Sequence, residues 1–277
     1  VYPLQVRFFE NALAGEDQLR QRVALALHEI LVVSGVAIRQ PSAVGPYLNM
    51  LRGDAFGNYR TLIGDLTVSP AMGDYLDMVN NLAAVPPANI PPNENYAREL
   101  LQLFSVGVDL LNEDGTPQVD AAGEPLPTYD QETIEEFGRV FTGWTYATAA
   151  GATPRKTNPA NYKAPMWLYR DAKGLDATHD KGTKAILAYR GAPHPVLPAN
   201  QDGAVDLEQA LDDVFDHPNV GPFFGRQLIR HLVTSNPSPA YVARVARVFA
   251  DDGHGVRGNL AAVARAILLD PEARGPE

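Results

Sequence analysis

Residues 91–107 read PPNENYARELLQLFSVG, and the rest of the chain can be placed outward from them. Pro91 and Pro92 exclude a helix before them, Asn93 is a good N-cap, and Glu94 falls in the first turn. Gly107 stands where a left-handed residue would end the helix. The stretch therefore predicts a helix of about four turns. Stepping about 100° per residue puts Tyr96, Ala97, Leu100, Leu101, Leu103 and Phe104 on one side, with Glu94, Asn95, Arg98, Glu99 and Gln102 on the other. The first group predicts a buried face.

The second group has order of its own. Glu94 with Arg98, Arg98 with Gln102, and Asn95 with Glu99 are i,i+4 neighbours that can bond side by side. Two readings compete: a solvated face laced with weak ion pairs, or a cleft in which two carboxylates, an amide and a guanidinium tune one another for binding or acid–base work. The wheel does not choose between them.

On either side, the same spacing recurs. A helix is expected from Gly15-Glu16-Asp17 to about Val33, its second half nearly all apolar except for His28 and Glu29. A polar pair inside so apolar a run must meet partners or face water. Three short helices are expected at 46–54, 58–67 and 69–80, the last opened by Ser69-Pro70. A Pro-rich loop spans 80–92. Turn signals DGTP and AGEP between short apolar segments predict a β-hairpin at 109–128. Thr128-Tyr129-Asp130-Gln131 resembles a capping box for a helix to about Phe141. The stretch 147–165 carries no hydrophobic period and is expected as a long surface loop, open to mobility. Short strands are expected at 166–169 and 185–189, flanking HDKGTK at 179–184, and four further helices at 205–215, 220–234, 239–250 and 259–269. The fold class is mainly α: one multi-helix domain over 1–277, of nine or ten helices, with small antiparallel β insertions at about 109–128 and 166–190.

Composition bounds the function. The chain is 45% hydrophobic and 20% charged, ordinary values for a globular protein. A formal charge of −10 argues against a nucleic-acid partner. No apolar run has the roughly 18 residues of a membrane span, and no leader pattern is present at the first residue, Val1. Without cysteine there is no disulfide, thiolate metal site or cysteine nucleophile. GHGVRG at 253–258 matches a dinucleotide fingerprint but comes after a helix instead of a strand, NEDG at 112–115 lacks the other ligands of a calcium loop, and HEILV at 28–32 lacks the second histidine of a zincin helix.

HDKGTK survives these tests. Gly182 lets backbone amides turn inward, and Lys181 and Lys184 add positive charge, so the turn suits a carboxylate or phosphate; an ordinary hairpin turn is the other reading. Trp144 is a core aromatic or a platform for a sugar ring.

NENYARELLQLFSVGV at 93–108, TYDQETIEEFGRVFTGWTY at 128–146 and HDKGTK at 179–184, in that order and spacing, resemble the signature blocks of the bacterial domain-of-unknown-function family 1800. The amino-terminal LRQRVALALHEILVVSG and the carboxy-terminal helices extend the resemblance over most of the chain. One His and a Glu, His28 and Glu29, stand where family members often carry Trp-His-x-His-Phe. The resemblance implies an extracytoplasmic bacterial protein, periplasmic or secreted, and a sulfatase-like protein partner; it implies no particular reaction.

The expected site is a polar cleft. Glu94 and Glu99 would serve as acid or base, His28 and His179 as proton shuttles, and Arg98 and Lys184 as anion clamps, with Glu29, Asn95, Asp180 and Trp144 completing the ligand contacts. The least forced reaction is hydrolysis of a carbohydrate or ester; the competing class is a non-catalytic assembly or binding protein of the cell envelope. The donors present would take zinc, manganese, iron, magnesium or calcium. No pair has a recognised metal spacing within one helix, so a divalent cofactor is not the favoured reading. The three blocks are expected to meet, with the HDKGTK turn against the polar face of the central helix.

Overall fold

A computed structural model describes residues 3–86 and 90–275. The 80–92 loop therefore lies partly outside the described residues. The architecture is mainly α. Helix α1 (Pro3–Ala14) precedes α2 (Gln18–Ile30), α3 (Pro41–Asp54), α4 (Tyr59–Thr67) and α5 (Pro70–Tyr75). The central helix α6 (Asn95–Glu99) and α7 (Gln131–Val140) come next, and then α8 (Gly203–Asp216), α9 (Val220–Leu232), α10 (Pro239–Ala250), α11 (Leu260–Leu269) and α12 (Pro271–Arg274). Side chains cap several of them: Asn58 accepts from the Arg60 amide and Ser238 from Tyr241, while α7 is opened by Asp130, which accepts from the Thr133 amide, and not by Thr128 as the expected capping box would have it.

The central helix differs from expectation in an instructive way. After Glu99 the chain continues as a π-helix, Leu100–Ser105, with the Val106 amide donating to the Leu101 carbonyl at 3.1 Å. Each i→i+5 bond inserts an extra residue into the turn and rotates the residues beyond it. Leu100, Leu101 and Phe104 are buried as the wheel predicts, but Leu103 is 45% exposed. Gly107 ends the element at φ +74°, where an added Cβ would lie 2.7 Å from the Phe223 ring. Asn219 seals that end: its Nδ2 donates to the Val106 and Asp109 carbonyls, and its Oδ1 accepts from the Leu111 amide.

Other boundaries shift for identifiable reasons. Helix α5 stops at Tyr75 instead of continuing to residue 80, because Asp77 and Asn80 adopt φ of +57° and +62°, a conformation that short polar side chains tolerate and a helix does not. Helix α3 starts at Pro41, leaving Pro46 inside it, and α2 ends at Ile30. Helices α1 and α12 are additions to the expected set.

The β content is small. Strand β1 (Trp144–Thr145) pairs antiparallel with β2 (Trp167–Leu168), and β3 (Lys184–Ala185) with β4 (Val196–Leu197). The HDKGTK turn thus does not join a hairpin; the strands beside it have different partners. At 109–128 the chain makes isolated bridges, Asp109 to Pro127, Leu111 to Pro117 and Val119 to Pro125. Prolines without N–H groups keep that excursion from becoming a ladder.

A continuous apolar cluster runs from Val23 on α2 to Ile267 on α11. Buried tyrosines tie it to backbone: Tyr59 Oη donates to the Phe104 carbonyl at 2.6 Å, and Tyr241 Oη to Ile267 at 2.6 Å. No described helix is long and apolar enough to cross a membrane.

Candidate functional site

Helix α7 carries one polar cluster at each end. Gln131 at its start bonds to the α6 side chains, and Arg139 near its finish bonds to the HDKGTK turn. Eight residues separate them, about 12 Å along a helix axis. Glu94 also packs against Gly138, the residue before Arg139, but among the described residues no side-chain hydrogen bond or ion pair joins the two clusters.

The cluster at the far end is a closed ion lock. Lys184 is 1% exposed, and its ammonium meets the Asp180 carbonyl at 2.7 Å, the Gly182 carbonyl at 3.1 Å and Asp206 Oδ2 at 2.8 Å. Those contacts account for all three of its donors. His179 places Nε2 2.9 Å from Asp206 Oδ2 and Nδ1 3.0 Å from the Thr142 carbonyl. Gln201 Nε2 donates to Asp206 Oδ1, and Lys181 pairs with Asp176 at 2.6 Å. Arg139 joins Asp180 at 2.9 Å and Glu136 at 2.6 Å. Burial alone would raise Asp180 and Asp206; the donors from Arg139, His179 and Lys184 hold both below the ordinary carboxylate value.

The turn does hold a carboxylate, but it is the chain's own Asp206 from α8 rather than a ligand. Glycine makes the closure possible: an added Cβ at Gly203 would lie 2.7 Å from the His179 ring, and one at Gly143 (φ +88°) 3.1 Å from the His179 amide. Asp206 was not singled out by sequence reasoning, yet it carries a signal. It recurs with Ala210 and Asp213 at i, i+4 and i+7 among the buried residues Leu207, Leu211 and Val214 of α8.

The near cluster is half-exposed. Glu94 Oε2 accepts from Arg98 at 3.0 Å and from Gln131 at 2.9 Å, and Arg98 also donates to Gln131 Oε1 at 3.2 Å. Asn95 Nδ2 donates to Asp77 Oδ2 at 3.4 Å, so the expected Asn95–Glu99 and Arg98–Gln102 pairs give way to contacts across elements. Glu99 Oε2 is enclosed and without a partner, as are Tyr129 Oη and Thr128 Oγ1. Burial pushes the Glu99 carboxyl above the ordinary glutamate value, and the Arg98 charge pulls it part of the way back. Burial likewise pushes the Tyr129 phenol up to about 12, with the Arg98 charge lowering it and the Glu99 charge raising it. Tyr129 thus belongs with Glu99 and Arg98, a neighbour not foreseen from sequence.

His28 and Glu29 stand apart from both clusters on α2. Glu29 is exposed. His28 lies edge-on to Tyr47 at 6.3 Å, its Nε2 is enclosed without a partner, and burial lowers its pKa. Trp144 is 7% exposed within the apolar cluster, a core position and not a sugar platform. Among the described residues no three His, Asp or Glu side chains converge as a metal site.

Asp213 is a further enclosed acid. It is fully buried, with Oδ1 accepting from the His194 amide at 2.7 Å and Oδ2 unpartnered. Burial raises its carboxyl to about 6. A value raised on folding contributes stability that is complete below about pH 4 and lost as pH rises through about 6. His217, pushed down to about 4 by burial and then by the Arg257 charge, acts oppositely: its contribution is complete above about pH 6.5 and lost as pH falls through about 4. Asp213→Asn is therefore expected to gain on the parent as pH rises from 4 to 8, by up to about 3 kcal/mol. Urea denaturation across that range checks it, and parallel pH profiles for the two proteins would contradict it.

A mainly helical scaffold thus holds a buried ion lock and, at the other polar cluster along α7, a partly enclosed acid in the field of a guanidinium and a phenol. The chain belongs to the family of proteins of unknown function DUF1800, whose profile matches residues 2–277. No curated protein and no solved structure matches it.

Proposed function

We propose that the chain carries a general-acid site centred on Glu99 and acts as a hydrolase on a glycosidic or ester bond, outside the cytoplasm of a bacterium. The observation that carries this reading is the enclosed, partnerless Glu99 Oε2, on a carboxyl whose proton is held more tightly than usual. A carboxyl of that kind is suited to protonate a leaving-group oxygen. Tyr129 supplies a second enclosed hydroxyl, and Arg98, steadied by Glu94 and Gln131, supplies positive charge for a developing anion. The π-helix begins at the residue after Glu99, and such turns are frequent at functional sites.

The extracytoplasmic setting rests on the family's blocks in the sequence. The test is turnover of a panel of nitrophenyl esters and glycosides by the parent and by Glu99→Gln. The variant is expected to lose about 10²- to 10⁴-fold in kcat at an unchanged melting temperature. Equal rates for the two proteins, or a parent inert across the panel, would sink the reading.

A second reading, an envelope assembly protein with a sulfatase-like partner, has one observation in its favour. Helix α1 buries no residue, and Val6, Phe9 and Leu13 are 48%, 61% and 85% exposed at helical spacing along it. Co-purification with such a partner, abolished by Phe9→Asp with Leu13→Asp, would support assembly over catalysis.

A further inference from the structure

The stretch 147–163 closes on itself around one buried amide. Asn158 is 4% exposed; its amide N–H donates to Thr145 Oγ1 at 2.8 Å, and its Nδ2 donates to the Tyr146 carbonyl at 2.8 Å and to Thr148 Oγ1 at 3.1 Å. Its Oδ1 accepts from the Arg155 amide at 3.1 Å. Asn161 adds a bond to the Ala147 carbonyl, and Tyr162 stands edge-on to Tyr146 and donates to Asp74. The result is a compact Ω-loop bordering an open groove, most of whose lining residues are exposed; its volume of about 680 Å³ is within the ~300–1,000 Å³ span of small-molecule sites.

The lining has a consistent chemistry. Alanine methyls form much of the wall, Thr148 and Thr153 bring hydroxyls, and Arg155 and Lys163 bring two positive charges. No acid lines the groove, in a chain with 33 acidic residues and a net charge of −10. Among the described residues neither Arg155 nor Lys163 has an ion-pair partner, whereas the lock's cations are all paired. Two unpaired cations over an apolar, hydroxyl-bearing wall complement an oxyanion carried on a compact organic body. The guanidinium can grip such a group with two parallel N–H bonds.

We propose that this groove is a binding site for a small organic oxyanion, a carboxylate, sulfate ester or phosphate ester on a body the size of one sugar ring. The site is separate from Glu99 and does not depend on the reading proposed for it. The probes are glucuronate, glucose 6-sulfate and glucose 6-phosphate, with neutral glucose, inorganic sulfate and inorganic phosphate beside them, titrated calorimetrically into the full chain. At least one charged sugar is expected to bind saturably at or below about 1 mM, at least about tenfold tighter than glucose or either inorganic ion. Arg155→Gln with Lys163→Gln is expected to weaken that binding about tenfold or more without moving the melting temperature, since both side chains are exposed, while Glu99→Gln leaves it unchanged. Absence of saturable binding by every charged sugar, binding no tighter than that of the inorganic ions, or binding indifferent to the double substitution would overturn the proposal.

Discussion

Lys184→Ala is expected to lose about 3–5 kcal/mol of folding stability, the cost of stranding a buried charge. The side chain is 1% exposed and its partner Asp206 is fully buried, so no water takes over the ammonium's place. Lys163→Ala, at an exposed lysine with no ion-pair partner among the described residues, should stay near the parent. Lys184→Met combined with Asp206→Asn should cost less than the two single changes added together, because the double change removes both charges of the pair whereas each single change strands one. The sign with pH is defined as well. Asp180 and Asp206 are held below the ordinary carboxylate value, so the lock's contribution is complete above about pH 4 and lost as pH falls through the lowered values. Urea denaturation at pH 7 is the measurement; a Lys184→Ala midpoint within error of the parent would mean that the ion lock contributes nothing to folding.

Leu100→Ala is the second large effect. Leu100 opens the π-helix fully buried, and truncating a buried leucine costs about 2–5 kcal/mol. Leu103, three positions on, is 45% exposed, and its alanine variant should stay within about 0.5 kcal/mol of the parent. On a regular helix the two positions would share a face. Comparable losses for both variants would place Leu103 in the core and contradict the π register.

How far the fold could be read from the sequence depends on the range of the forces involved. The helices were legible because apolar spacing acts within two turns; the ends were read less well, since α7 is capped by Asp130 and not by the expected Thr128. The π segment was not: an extra residue per turn changes hydrogen bonding without changing composition, and Leu103 looks as apolar as Leu100. The lock was half legible. HDKGTK announced a turn suited to an anion, while Asp206, which fills it, lies 22 residues beyond Lys184 and shows itself only as an acid within a buried stripe. The polar face of the central helix was read correctly as far as Glu94 and Arg98. Its partner Gln131 and its neighbour Tyr129 come from the far side of the 109–128 excursion, and no local rule brings them there. Trp144 looked chemical for its residue type but sits in the core; His28, edge-on to Tyr47, keeps an enclosed Nε2 without a partner and joins neither polar cluster.

Glu99, and not the buried lock, is where the proposed chemistry is concentrated. The most direct test is an NMR titration of the Glu99 side-chain carboxyl in the intact, carbon-13-labelled protein, with Glu99→Gln assigning the resonance. A midpoint clearly above the ordinary glutamate value of about 4.3 is predicted, rising further in Arg98→Gln, where the charge that favours ionisation is gone. A midpoint at or below that value, indifferent to Arg98, would contradict the assignment of Glu99 as the general acid.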